Sequence, residues 1–104
     1  MPQTKTIIKG KTSQKIKRQK PHLWKVVLLN DNFTSFEFVV HVLITIFQKS
    51  MEDAQNITLQ IHHQGKGACG IYTYEIAETK RSEVLKLAKQ EQFPLQCKLI
   101  REGD

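Results

Sequence analysis

The sequence predicts an α+β sandwich of order βααβαβ: a small, mostly antiparallel three-stranded sheet with three helices packed on one face. Three observations carry that prediction. Short β-branched or aromatic runs alternate with segments of helical periodicity. Turn and cap residues stand at the boundaries between them. A length of 104 residues supplies one domain with one modest core.

Order is expected to begin at Pro21. His22 to Asn30 is rich in β-branched and aromatic residues and stops at Asn30-Asp31-Asn32, which makes it the first strand. Thr34-Ser35-Phe36-Glu37 fits a capping box, with Thr34 as N-cap and Glu37 reaching back to its amide. The helix that follows, to about Gln48, carries one narrow polar stripe of Glu37, His41, Thr45 and Gln48. Nearly everything else in it is apolar, so it must be covered on most sides or use part of its surface for binding. Ser50 opens a second helix, with Glu52 and Asp53 placed for the helix dipole. It runs to about Gln60, with Ala54, Ile57 and Ile61 spaced for an inner face. His62 to Gly67 reads as a turn and Ala68 to Ala77 as the second strand. Glu78-Thr79 reads as the cap of a third helix over about Lys80 to Gln90, with Val84, Leu87 and Ala88 inward. Pro94 stops helical continuation, and Leu95 to Ile100 is the third strand.

Composition narrows the function classes. There is no run of about 18 apolar residues, so no membrane contact is expected. No apolar segment near Met1 reads as a secretory signal, and Cys69 and Cys97 are too few for a disulfide scaffold. A reducing, cytoplasmic setting is expected. The formal charge of +6 is uneven: residues 1–21 hold seven bases and no acid, leaving nine bases against ten acids in the rest. Residues 1–21 are therefore read as a basic, disordered extension, because Ile7, Ile8 and Ile16 are too few to bury, and residues 22–104 as the core domain. A near-neutral core argues against nucleic-acid binding, whose basic footprint sits on a folded face. A small RNA- or protein-binding module acting through the tail is the alternative.

Few residues offer chemistry. The cysteines lack CxxC partners, and a zinc site is not expected. Two small buried thiols explain them better than a nucleophile. Adjacent His62 and His63 point apart and do not suggest a joint metal site. More informative is the junction of the first strand with the apolar helix. There Asp31 offers a carboxylate, Asn30 an amide oxygen and neutral His62 a ring-nitrogen acceptor. Three acceptors beside apolar surface would suit an ammonium group carrying a hydrophobic side chain.

Six segments, in order, extend this pattern: Val27-Leu-Leu-Asn-Asp-Asn-Phe-Thr34, Glu37-Phe-Val-Val40, His62-His-Gln-Gly-Lys-Gly67, Cys69-Gly-Ile-Tyr-Thr73, Ala77-Glu-Thr-Lys80 and Glu91-Gln-Phe-Pro-Leu-Gln-Cys97. Together they resemble the Clp-protease adaptor family, ClpS, over about residues 22–104. The resemblance implies a protein that is not an enzyme and takes no cofactor or metal. It implies a monomer that binds proteins through a bulky hydrophobic N-terminal residue and its free α-amino group. It further implies delivery of those proteins to the N-terminal domain of a Clp AAA+ unfoldase, ClpA or a relative, for degradation by ClpP. Residue by residue, Asn30, Asp31 and His62 match the family's α-amino-binding positions, with Asn32 beside them. Thr34, Phe36, Thr58, Ile61 and Leu95 match its hydrophobic pocket and gate, and Glu75 and Lys80 its unfoldase-contacting surface. The basic tail matches its mobile extension. Three positions depart from the family pattern: Asn32 stands where Asp is common, and Phe36 and Thr58 where Met is usual. The chain therefore looks like a divergent, second-copy-like member.

Overall fold

The computed structural model describes residues 21–103. Of the predicted basic extension, all but Pro21 lies outside the described residues. The elements follow the expected order: β1 (Leu23–Leu29), α1 (Phe36–Thr45), α2 (Met51–Gln64), β2 (Lys66–Thr73), α3 (Tyr74–Gln90) and β3 (Gln96–Arg101). β1 lies in the middle of the sheet, and both its neighbours, β2 and β3, run antiparallel to it. The helices cover the face that carries Val26 and Leu28, both fully buried, and the opposite face exposes Ile71 and Ile100.

The core joins Val26 and Leu28 to Val42 and Leu43 of α1, Ala54 and Ile61 of α2, and Ala77, Val84 and Ala88 of α3. The polar stripe of α1 faces solvent as expected, and its buried remainder joins the core and packs on α2. β2 bulges at Cys69: Val26 pairs with Gly70 and Val27 with Ala68, which leaves Cys69 without a partner in register. The bulge keeps Gly67, Cys69 and Gly70 toward the helices. A Cβ at Gly67 would stand 2.7 Å from Ile61 Cγ1, so only glycine lets α2 approach β2 this closely.

Several element boundaries differ from the sequence expectation; four have a clear local reason. The N-cap of α1 is Ser35, not Thr34: the Ser35 hydroxyl accepts from the Phe38 amide at 3.1 Å, while Thr34 is engaged by Asp31. α1 ends at Thr45 rather than Gln48, because Gln48 turns left-handed (φ 55°) and the Lys49 amide donates back to the Leu43 carbonyl. α2 continues through His62 and His63 to Gln64 and stops at left-handed Gly65 (φ 90°), so the two histidines are helical rather than in a turn. The second strand ends at Thr73, which pairs with Leu23, the first residue of β1. Beyond it the chain has no strand to pair with, and Tyr74 to Ala77 enter α3 instead of extending the sheet.

Candidate functional site

The loop after β1 is organised by one side chain. Asp31 Oδ1 accepts from the amides of Phe33 (2.8 Å) and Thr34 (2.7 Å), and Oδ2 accepts from the Thr34 hydroxyl (2.7 Å). Each carboxylate oxygen has two acceptor positions, so Oδ1 is filled and Oδ2 keeps one. Partial burial alone would raise the Asp31 pKa, but these three bonds outweigh it and hold the carboxyl below the ordinary aspartate value. Asp31 is therefore an anion at neutral pH with one acceptor position to spare.

A second contact fixes what stands beside it. The Asn30 amide donates to the Gly65 carbonyl at 2.9 Å. Gly65 is the left-handed cap of α2, and its own amide returns to the Ile61 carbonyl at 2.9 Å. The end of β1 is thus tied to the end of α2, and this brings His62, in the last turn of α2, to the Asn30–Asp31 loop.

The result is a cleft of about 340 Å³ lined by Asn30, Asp31, Asn32, Thr34, Phe36, Val39, Thr58, Ile61 and His62. Its acceptors come from the β1–α1 loop and the end of α2, and its apolar walls come from α1 and the middle of α2. Phe36 stands at the mouth, 41% exposed, and does not turn inward as a core residue. Thr58 is buried, and its hydroxyl donates to the Ala54 carbonyl of its own helix at 2.7 Å, so that donor is not offered to the cleft. Leu95 is buried in the core and is not among the residues that line the cleft. Val39 does line it and was not singled out from the sequence. The signal was available, since Val39 lies three residues after Phe36 and so shares its helix face.

Other candidates find bland places. The Cys69 thiol is pushed up to about 12 by burial first and by neighbouring Cys97 next. The Cys97 thiol rises to about 11, chiefly by burial. Neither supplies thiolate at neutral pH. The His62 and His63 rings meet edge to face with centroids 5.3 Å apart. Among the described residues no cluster of three or more His, Cys, Asp or Glu side chains is arranged to hold a metal.

Glu75 and Lys80 both lie on α3, in its first and second turns, and not at a strand end and helix start as expected. Glu75 is exposed. Lys80 has a structural role that the sequence did not suggest. Its ammonium donates to the Ile46 carbonyl at 2.7 Å and to Gln48 Oε1 at 3.4 Å, and lies 5.8 Å from the centroid of the Tyr72 ring. Ile46 is the C-cap of α1, whose own last turn contains no basic residue. Lys80 supplies the cation that the negative end of that helix dipole favours.

Residues 19–98 match the family described as ATP-dependent Clp protease adaptor protein ClpS. A curated relative of that name from Brucella canis is 50% identical over 96 residues, covering 92% of this chain and 81% of the relative. Another, from Parvibaculum lavamentivorans, is 53% identical over 91 residues, covering 88% of this chain and 83% of the relative. A solved structure of Agrobacterium tumefaciens ClpS2 bound to L-phenylalaninamide superimposes with a TM-score of 0.77 at 36% identity, over 80% of this chain and all of that one.

Proposed function

The chain belongs to the ClpS family of ATP-dependent Clp protease adaptors, and we propose that it captures proteins by a bulky hydrophobic N-terminal residue and passes them to a Clp AAA+ unfoldase for degradation by ClpP. One observation carries this reading: Asp31, whose Oδ2 has an acceptor position to spare, lines the same cleft as the apolar walls of Phe36, Val39 and Ile61. The α-amino group of a peptide is a cation at neutral pH, and the first side chain branches from the carbon that bears it. Asp31, Asn30 and His62 take the ammonium, and the cleft takes the side chain. The phenylalaninamide bound by the Agrobacterium relative, an amino acid with a free α-amino group and no acidic terminus, supports this assignment.

Asn32 beside the site brings no charge, so Asp31 carries the attraction alone. Phe36 acts as a stiff gate at the mouth and disfavours Ile and Val, which carry bulk next to the backbone. Leu and Phe enter best, and Trp is weakest of the bulky set. Glu75 and Lys80 face the N-terminal domain of the unfoldase, ClpA or a relative. The adaptor acts as a cytoplasmic monomer, without catalysis, and no described helix is long and apolar enough to cross a membrane.

The test is a set of short peptides differing only in the first residue, each with its amino terminus free or acetylated. Charge-assisted hydrogen bonds contribute about 1.5–3 kcal/mol each, so acetylation should abolish measurable binding and Asp31→Ala should weaken it at least about tenfold. Equal affinity for free and acetylated peptides would sink the reading.

A further inference from the structure

A second depression, of about 460 Å³, lies next to the cleft between α1 and α2. Val40, Ile44 and Met51 line it, and Phe36 is a wall of both. Met51 is 57% exposed, so this apolar surface is open to solvent. We propose that the groove is a subsite for the side chain of the third residue of the bound peptide. This rests on the function proposed above and extends it from the first residue to the third.

Three features of the fold support that occupant. The first is direction. The ammonium acceptors gather at the C-terminal end of α2, with His62, and the groove takes Met51 and Gln55 from its N-terminal half. A peptide anchored by its amino group and continuing along α2 therefore crosses Phe36 toward the groove. The second is spacing. Gln55 of the groove and Thr58 of the cleft are three residues apart on one helix, about 4.5 Å of rise. In an extended chain side chains alternate, and residues 1 and 3 point the same way about 6.6–6.8 Å apart. Residue 1 enters the cleft, residue 2 points to solvent above Phe36, and residue 3 reaches the groove. The third is chemistry. The lining joins apolar Phe36, Val40, Ile44 and Met51 to Glu37, His41 and Gln55; the exposed Glu37 carboxylate repels an acidic third residue, and the apolar part holds an apolar one.

The experiment compares phenylalaninamide, which ends before the groove, with the amides of Phe-Gly-Gly, Phe-Gly-Leu, Phe-Leu-Gly and Phe-Gly-Asp, by calorimetry or fluorescence anisotropy competition. Partial burial of a leucine should make Phe-Gly-Leu about fivefold tighter than Phe-Gly-Gly. Phe-Leu-Gly should match Phe-Gly-Gly, and Phe-Gly-Asp should be weakest. Met51→Asp and the milder Met51→Ser should erase the Phe-Gly-Leu advantage while phenylalaninamide binds as before. Equal affinities for Phe-Gly-Leu and Phe-Gly-Gly overturn the subsite, as does an advantage that survives both Met51 variants. An advantage for Phe-Leu-Gly instead overturns the assignment to the third residue. If phenylalaninamide itself does not bind, the adaptor reading fails first and takes this inference with it.

Discussion

The two ends of α1 are held in different ways. At its start, the residue directly before the helix supplies the cap, with the Ser35 hydroxyl accepting from the Phe38 amide at 3.1 Å. At its finish, the cation comes from another helix 34 positions along the chain, with Lys80 Nζ donating to the Ile46 carbonyl at 2.7 Å. The first arrangement is local and stands beside the ligand cleft. The second is tertiary and joins α1 to the helix that carries Glu75. One end of α1 thus presents Phe36 and Val39 to the cleft, and the other is pinned by a residue that the family resemblance assigns to partner contact. Under the proposed function, a substitution at the far end should act on fold and function together, whereas one at the near end can be separated by its readout.

The largest effect is expected at the near end and depends on pH. Asp31 has a lowered pKa, so the contribution to ligand binding proposed for it should be complete above the ordinary aspartate range and be lost as the pH falls through its depressed value. Its share of affinity for a free-amino peptide should be constant from pH 7 to about 4 and be lost only below the ordinary aspartate value of about 3.9. Asp31→Asn, measured over the same range with circular dichroism to follow the fold, should be weak throughout and lack that step. A step that persists in the variant would assign the titration to another group.

Next in size is Lys80. Lys80→Met keeps the aliphatic stem and removes the donor, leaving the Ile46 carbonyl without its cation. Hydrogen bonds from charged groups contribute about 1.5–3 kcal/mol, and partial exposure here brings the expected loss toward ~1.5 kcal/mol, read by urea unfolding. Glu75→Lys, on an exposed side chain, should leave stability and peptide affinity unchanged while slowing degradation by the Clp machine. If the two variants slow degradation equally with no loss of stability in Lys80→Met, the capping role assigned to Lys80 is wrong.

The smallest effect is the local cap. Ser35→Ala should cost about 1 kcal/mol of stability, because one first-turn amide loses its acceptor. Thr34→Ala, the cap expected from the sequence, should instead disturb the Asp31 loop and lower peptide affinity more than it lowers stability. The reverse pattern would restore Thr34 as the cap.

The boundaries that moved follow a common rule. Cap residues were legible as a class, but Thr34 and Ser35 are both good N-caps, and Asp31 decides between them by engaging the Thr34 hydroxyl and amide. The segment after Ala68 looked extended through Ala77 because Ile71, Tyr72, Thr73 and Tyr74 all favour strands. What ended the strand was the start of its partner at Leu23, which composition does not encode. The histidines looked like turn residues because Gly65 and Gly67 follow closely, yet Gly65 is a helix cap and Gly67 a close contact with Ile61.

The sequence by itself determined the element order, the apolar helix with its narrow polar stripe, and the acceptors Asn30 and Asp31 at a strand-to-helix junction. Periodicity, caps and turn residues act over a few positions, so one chain is enough to read them. Only the tertiary structure decided that His62 stands beside Asp31, through the Asn30–Gly65 hydrogen bond. It also decided that Leu95 is core while Val39 lines the cleft, that Phe36 divides two depressions, and that Lys80 caps a helix 34 positions away. These are contacts between residues distant in sequence. They arise when β1 pairs with strands from the other half of the chain and the helices settle onto one face, and no local pattern of residue types specifies where that packing brings two side chains together.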